Sequence, residues 1–575
     1  MRIMGRHGGR PYKHNRFKKL FNLLNRRGDL RVCPWNGIKN KEIGEENEMS
    51  YFSNEERFKK IIFKSKGIEH ISDNMLLISG DFYGIQKFIF DRLSTKNASK
   101  VLRAKSAFIQ IFTEYIARYI CYKLEVNESR ILSMNAGKFE ILIPEKKIDL
   151  DTIQNKIDNY FIKNFYGLSG IMISSVECKR DDFNNVKLYK ALRKKIIDSV
   201  EDKKFQKFTL QSDIAFDVLN YDTDVDNQSL CPICNIRKTE GSKENCIICD
   251  NFIELGKKLS FEHITENISS DKLGIKFDKN FIIDIKLNKK IKSYILFDGR
   301  SPAEFKTLAD SSCKELDTGI KSLAILKADV DNMGKFLENS KVTNSFKNFD
   351  SFSKTMDNFF SIYIPNMMKE KYPNTYTVFA GGDDLFLLGA WDEVLEMTRE
   401  IECEFKAFVK SDELSISFGI AIGKPTTPIS YLADYTEHLL EKAKGIDGEE
   451  KVENPKDAIS LFRETVKWKS YREVYEKLYG SLEDFEEELN TAFLYRLLDL
   501  IEMSKKVKYL NDIPSTMWKS KFRYSFNRNV LERARGDEAK SRANRVLELL
   551  GKLIENSPKE TKMVVNEFIY KRRVT

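Results

Sequence analysis

One order of elements occurs twice in this chain, and each time its first strand ends in an acid. Residues 75–81 (MLLISGD) form an apolar strand closing on Asp81. Helical patterns follow at 83–90 and 98–124, the longer one amphipathic with a period near 3.6. Residues 131–143 read as two strands around Asn135-Ala136-Gly137, residues 150–165 as a helix and 171–177 as a strand. The second occurrence starts with residues 323–329 (LAILKAD), closing on Asp329. It continues with a helix at 349–371, a hairpin at 377–388, a helix at 391–409 and a strand at 414–422. The spacings agree: Asp81 to Gly137 is 56 positions and Asp329 to Gly381 is 52, while Gly137 to Ile171 is 34 and Gly381 to Leu414 is 33. A pattern kept at matched spacing is an internal duplication. The order βαββαβ predicts two ferredoxin-like units in an α+β chain.

The copies differ where chemistry would sit. The second hairpin runs Thr377-Val-Phe-Ala-Gly381-Gly382-Asp383-Asp384-Leu-Phe-Leu-Leu388, an apolar run, a turn and another apolar run. Glycines at the tip let a ligand approach the main chain. Two carboxylates held on a rigid turn suit a hard divalent cation carrying a nucleotide triphosphate. Taken alone, GGDD is also an ordinary hairpin turn. The first copy is aligned with Lys138-Phe139-Glu140 against Gly382-Asp383-Asp384, so it reads as stripped of metal ligands and suited to helping bind the nucleotide.

Between the copies, Cys231-Pro-Ile-Cys234 and Cys246-Ile-Ile-Cys249 form two CxxC knuckles. Four thiolates fit tetrahedral Zn²⁺ and close the site to substrate, which predicts a structural metal. Cys33, Cys121, Cys178, Cys313 and Cys403 have no such spacing and read as unliganded thiols, and nine cysteines in 575 residues are no disulfide framework.

The net charge of +10 is local: residues 1–41 carry twelve Lys/Arg and one acid, so the remainder is nearly neutral. Bulk charge therefore cannot drive nucleic-acid binding by the body, and any such contact needs a local groove. Residues 1–48 read as disordered, either a basic arm for RNA or an extension upstream of a start at Met49. No run of 18 apolar residues and no signal-peptide pattern occurs, which predicts a soluble, cytoplasmic protein with no membrane partner. Residues 434–444 form an amphipathic helix ending in Lys442 and Lys444, the latter a phosphate partner if it lies beside a triphosphate site. Residues 461–575 are helical in pattern, and Arg523, Arg528, Arg533, Arg535, Arg542 and Arg545 offer a protein or RNA interface or simply a solvated face.

Five stretches together carry a family resemblance: residues 79–90 (SGDFYGIQKFIF), the CxxC pair, residues 328–334 (ADVDNMG), residues 381–384 (GGDD) and residues 417–422 (SFGIAI). The set resembles the large subunit of type III CRISPR effector complexes, the CRISPR polymerase family, and within it the type III-A branch. It covers residues 75 to about 445. The resemblance implies two palm domains of polymerase and nucleotidyl-cyclase type with ATP between them, and synthesis of cyclic oligoadenylates once the complex has paired its guide RNA with target RNA. On that basis Asp383, Asp384 and Asp329 are expected to hold catalytic Mg²⁺ or Mn²⁺. Gly381, Gly382, Lys444, Ser417, Gly80 and Asp331 are expected to bind nucleotide, and the partners are the other subunits, guide RNA and target RNA. The expected boundaries are a leader at 1–70, a first palm at 71–215, a zinc-binding linker at 216–315, a second palm at 316–460 and a helical domain at 461–575. Many members of the family begin with an HD nuclease domain. Here the five histidines (His7, His14, His70, His263, His438) include none followed by Asp, so that domain and its single-stranded DNase activity are not expected. A catalytically weak scaffold subunit and a stand-alone nucleotidyl cyclase are the alternatives.

Overall fold

Four antiparallel strands make the first sheet: β1 (Asn74–Tyr83), β2 (Ile131–Asn135), β3 (Lys138–Pro144) and β4 (Gly170–Lys179), in the order β2-β3-β1-β4. The computed structural model describes residues 74–573 apart from short interruptions, the longest at 208–229, 260–266, 287–303 and 446–455. The basic leader, Met49, Cys33 and His7, His14, His70 and His263 lie outside the described residues. A two-stranded ribbon, β5 (Asn267–Ser269) with β6 (Asp284–Lys286), follows the cysteine-bearing segment. The second repeat supplies β7 (Leu323–Asp331), β8 (Thr375–Gly381), β9 (Asp384–Ala390) and β10 (Ser415–Gly423). Two short strands, β11 (Ala458–Leu461) and β12 (Glu464–Lys467), extend that sheet to β12-β11-β10-β7-β9-β8. Its β8-β9-β7-β10 part has the same connectivity and order as the first sheet. The β11–β12 hairpin straddles residue 461, so the helical tail starts only at Trp468. Strands of four residues, interrupted by Arg463 and bearing Glu464 and Lys467, have too little alternation to read from sequence.

The first half of β7 is apolar on both faces because both are covered. Ala324, Leu326, Ala328 and Val330 join a core with Phe359, Phe360, Trp391 and Phe405 from the repeat's own helices. Leu323 and Ile325, on the other face, join the core of the first repeat, together with Val378, Phe386 and Leu388. The Ala98–Lys123 helix lies between the two repeats, with 20 of its 26 residues buried, so it is enclosed on nearly all sides rather than amphipathic. It packs on β1 and β3, on the Ile247–Lys258 helix of the cysteine module, and on β8, where the Arg103 guanidinium lies 5.8 Å over the Tyr376 ring. Just before it, Phe90 stacks on Phe386 at 4.3 Å between centroids.

The far end of the chain is stitched to the start of β7. Gly319 and Ile320 donate their amides to the carbonyls of Arg573 (2.8 Å) and Tyr570 (3.1 Å), and the Trp391 indole N–H donates to the Ile320 carbonyl (3.0 Å). Arg399 reaches the fully buried Glu567 of the Pro558–Arg572 helix with both terminal nitrogens, at 3.1 and 3.2 Å. Such a planar two-point contact orients the helix as well as neutralising the acid.

The cysteine module is positioned by a close helix crossing at Gly256, where a Cβ would lie 2.2 Å from the Lys100 carbonyl oxygen. Backbone cannot swing aside as a side chain can. Gly256→Ala should therefore lower stability by about 1–3 kcal/mol. Gly334→Ala, where a Cβ meets nothing within 4 Å, should be neutral or slightly stabilising. Chemical denaturation of both variants beside the parent checks this; equal midpoints would refute the close crossing.

Candidate active site and cysteine cluster

The acids are brought together by strand register. β7 and β9 pair with Asp329 directly opposite Asp384, and β8 and β9 pair with Gly381 opposite Asp384. That leaves Gly382 and Asp383 as a two-residue turn. Gly382 has φ +66°, and a Cβ there would meet nothing within 4 Å, so glycine is needed for the backbone angle and not for space. The Asp383 carbonyl accepts the Val330 amide at 3.2 Å, which ties the turn to β7.

Two lysines serve this corner. Lys444, in the last turn of the Ile429–Lys444 helix, pairs with Asp329, and that helix stops at Gly445 in the left-handed conformation (φ 69°). Lys327, two residues before Asp329 on the same face of β7, is buried and pairs with Glu437 of the same helix. Loss of water pushes the Asp384 carboxyl up to about 7. Asp329, Asp383 and Glu437 add to the rise, and Lys327 opposes it. Asp329 is raised as well, by burial first, with Lys444 pulling it back. The corner is thus short of positive charge, and its carboxylates are hard oxygen donors of the kind divalent cations take. Lys327 and Glu437 were not among the residues singled out from sequence; an ionisable residue inside an otherwise apolar strand is the signal that marks Lys327.

The remaining candidates sit deeper. Ser417 lies opposite Asp329 on β10 and is fully buried, as is Asp331. The Asp331 carboxylate accepts the Ser417 hydroxyl (2.8 and 3.0 Å to its two oxygens), the Ser415 hydroxyl (2.7 Å) and the Asp457 amide (2.9 Å). Gly80 is buried in β1 opposite Phe139, where a Cβ would come within 2.2 Å of the ring.

The first repeat carries the same scaffold with the charges changed, and the sequence alignment of the two hairpins needs correcting. Phe82 donates its amide to the Gly137 carbonyl at 2.7 Å, as Val330 does to Asp383, and Asp81 lies opposite Lys138 as Asp329 lies opposite Asp384. Gly137 therefore matches Asp383 and Lys138 matches Asp384, two positions from the alignment of Gly137 with Gly381. The reason is turn chemistry: the positive-φ glycine is the second turn residue in the first hairpin (Gly137, φ 84°) and the first in the second (Gly382). Lys204 of the Val186–Phe205 helix holds Asp81 at 2.7 Å, the counterpart of Lys444 on Asp329, and Lys138 stands 3.8 Å away. The first corner is one acid with two lysines. Glu140 lies off it, paired with Arg193.

Cys231, Cys234, Cys246 and Cys249 are all buried with their sulfurs within 4.8 Å of one another, and they are the only such group of metal-ligating side chains among the described residues. Cys246 caps the Ile247–Lys258 helix and accepts the Cys249 amide at 3.5 Å. The Cys234 and Cys246 sulfurs are 3.9 Å apart. A zinc tetrahedron with bonds of about 2.3 Å has edges of about 3.8 Å, so these residues fit the metal. Cys121 and Cys178 lie apart from this cluster, and burial pushes each thiol up to about 12, where it is a poor nucleophile.

Two outcomes follow. The purified chain should carry about one zinc per molecule, and Cys246→Ser should lose it and melt earlier; a metal-free parent of unchanged stability would refute the site. Without divalent cations, stability should fall as pH rises from about 5 to 8, because the native state holds a proton on Asp384 that the unfolded chain has already released. Asp384→Asn should flatten that slope and, at pH 8, exceed the parent by on the order of 1 kcal/mol; parallel pH–stability curves for the two proteins would contradict it.

Residues 74–219 match the family description of Csm1 subunit domain B, and residues 322–453 that of the Cas10/Cmr2 second palm domain. The subtype III-A CRISPR system single-strand-specific deoxyribonuclease Cas10/Csm1 of Streptococcus thermophilus is 25% identical over 493 residues, covering 79% of this chain and 63% of the relative. Its Methanocaldococcus jannaschii namesake is 25% identical over 529 residues, covering 76% of this chain and 64% of the relative. The chain thus spans a little under two thirds of the length of these relatives. Among solved structures, the Csm1–Csm4 cassette in complex with cA3 superposes with a TM-score of 0.59 at 19% identity, covering 85% of this chain and 71% of the other. The cassette with one ATP gives 0.60 at 19% identity, covering 84% and 70%. Two repeats in one fold, each matched by its own Cas10 or Csm1 domain description, and subtype III-A relatives along most of the sequence show what the chain is similar to: the Cas10/Csm1 proteins of subtype III-A CRISPR systems.

Proposed function

We propose that this chain works in an RNA-guided antiviral complex and, when target RNA is bound, converts ATP into cyclic oligoadenylates at the corner formed by Asp329, Asp383 and Asp384. One observation carries the reading: three carboxylates share the end of β7 and the β8–β9 turn, with Lys444 set against them. The fold is that of Csm1 chains solved with ATP, cA3 and cA4, which supports it further. The two repeats serve as ferredoxin-like palms with nucleotide between them, the charge-changed first repeat assisting binding.

A divalent cation on Asp329, Asp383 and Asp384 would supply charge neutralisation for an in-line displacement in which a ribose hydroxyl loses its proton to water, its oxygen bonds to the α-phosphorus, and the α–β P–O bond breaks to release pyrophosphate. The protein's own share is positioning and electrostatics. Lys444 sits where it can transfer from Asp329 to a phosphate oxygen. The Gly381-Gly382 backbone offers a close approach, because nothing lies within 4 Å above Gly382. Ser417, buried opposite Asp329 on β10, backs the site.

The partners in this reading are a Csm4-type subunit, further subunits, guide RNA and target RNA, since the solved relatives are Csm1–Csm4 subcomplexes. The proposed complex is cytoplasmic; no helix among the described residues is long and apolar enough to cross a membrane. The relatives are named as single-strand-specific deoxyribonucleases; the activity proposed for this chain is nucleotidyl transfer.

The test is incubation of the assembled complex with labelled ATP, Mg²⁺ or Mn²⁺ and matching target RNA, with products resolved by mass spectrometry. Target-dependent cyclic oligoadenylates are expected, falling at least about a hundredfold in Asp383→Ala/Asp384→Ala. Intact RNA binding with no product from the parent would replace this reading with a scaffold role. Product without partner subunits or RNA would favour a stand-alone cyclase.

A further inference from the structure

A closed circuit of bonds leaves β7 at Asp331 and returns to it at Asp329. The Asp331 carboxylate accepts the Asp457 amide at 2.9 Å. The neighbouring amide, Lys456, donates to the Ala443 carbonyl at 3.0 Å, in the last turn of the Ile429–Lys444 helix. The next residue, Lys444, comes back to β7 on Asp329. Side bonds brace the circuit: the Lys456 ammonium donates to the Asn332 side-chain oxygen at 2.7 Å, and Lys467 donates to the Lys456 carbonyl.

The turn inside this circuit is strained. Lys456 and Asp457 have φ of +82° and +46°, and Asn332 has +61°, in positions without glycine. Non-glycine residues persist there only where surrounding contacts over-determine them. Asp331 is the contact best built to do so: it is 0% exposed and takes donors from two hydroxyls and one amide. A carboxylate with no exposed surface presents no oxygen to a substrate, and it is the group through which the Asp457 amide is attached to β7.

We propose that Asp331 is a positioning residue for Lys444: it fixes the Lys456-Asp457 turn to β7, the turn fixes the end of the helix at Ala443, and Lys444 is thereby held at the acid corner. This function rests on the ATP reading above. In place of direct contact with nucleotide, Asp331 acts at one remove.

A double-mutant cycle on the isolated chain, without partner subunits or target RNA so that binding is read without turnover, separates the two roles, with the ATP analogue AMPPNP as the probe in calorimetry. Asp331→Ala and Lys444→Met should each weaken AMPPNP binding about tenfold, and the double variant should be no weaker than Lys444→Met alone. Losses that multiply to about a hundredfold would overturn the proposal and leave Asp331 as an independent contact. Asp331→Asn keeps the shape and an acceptor for the Asp457 amide; it should fall between the parent and Asp331→Ala, guarding against a folding defect. Hydrogen exchange supplies the second arm. Amides at residues 440–445 should exchange faster in Asp331→Ala while β9 keeps its protection, and unchanged exchange at 440–445 would overturn the anchor. If the parent binds no AMPPNP, the ATP reading is what fails, and the exchange arm still decides whether Asp331 holds the helix end.

Discussion

Asp329 and Asp384 face one another across adjacent strands, with Asp383 beside them on the turn. Like charges on opposed positions of an antiparallel pair repel. At about 5 Å and an effective dielectric near 20 the repulsion is about 3 kcal/mol, and partial loss of water adds to it. The opposing term is the burial of β7, where Leu323, Ala324, Ile325 and Leu326 are all at most 1% exposed. Each of the three larger side chains contributes about 1.5–3 kcal/mol by leaving water, so the strand stays in register despite the acids. A slip of one residue would exchange the Leu323/Ile325 face for the Ala324/Leu326 face and break two cores together. The acid corner is therefore held by apolar packing some distance from it.

That packing joins the two repeats. The face of the second sheet that carries the acids continues into the core of the first repeat through Leu323, Ile325 and Phe386. The Asp81 face of the first sheet is covered by its own Val186–Phe205 helix, which in turn meets Phe346 and Phe349 of the second repeat, Arg193 lying 4.4 Å over the Phe349 ring. Each repeat thus completes a surface of the other. The charge difference between the corners has a local logic: Asp81 finds two lysines within its own repeat, while the second corner adds two carboxylates and leaves Lys444 to answer for Asp329.

Much of this was legible from residue order. Short apolar runs punctuated by Gly, Asn and Asp located β1 to β4 and β7 to β10, and the acids at the end of β7 and at the hairpin tip followed from them. The turn offset was not legible, because a glycine at either central position of a two-residue hairpin gives nearly the same spacing. Nor was the enclosure of the Ala98–Lys123 helix: Arg103, Ser106, Thr113 and Glu114 look like a solvent face, yet all are buried because neighbouring elements cover them. The Asp331–Asp457 bond joins residues 126 positions apart, and no periodicity announces such a pairing.

The backbone stitch between residues 319–320 and 570–573 bears on the order in which the molecule assembles. On a ribosome the first repeat and the cysteine module emerge well before the tail, and domains fold as units in the order they emerge. Both partners of the stitch exist only after the tail has been made, on the order of tens of seconds later at ordinary elongation rates. Until then the start of β7 lacks two backbone acceptors and the Trp391 indole lacks the Tyr570 ring it packs against. The nascent chain thus passes through an interval in which both repeats have been made and packed on one another while the start of β7 still waits for the tail that clamps it.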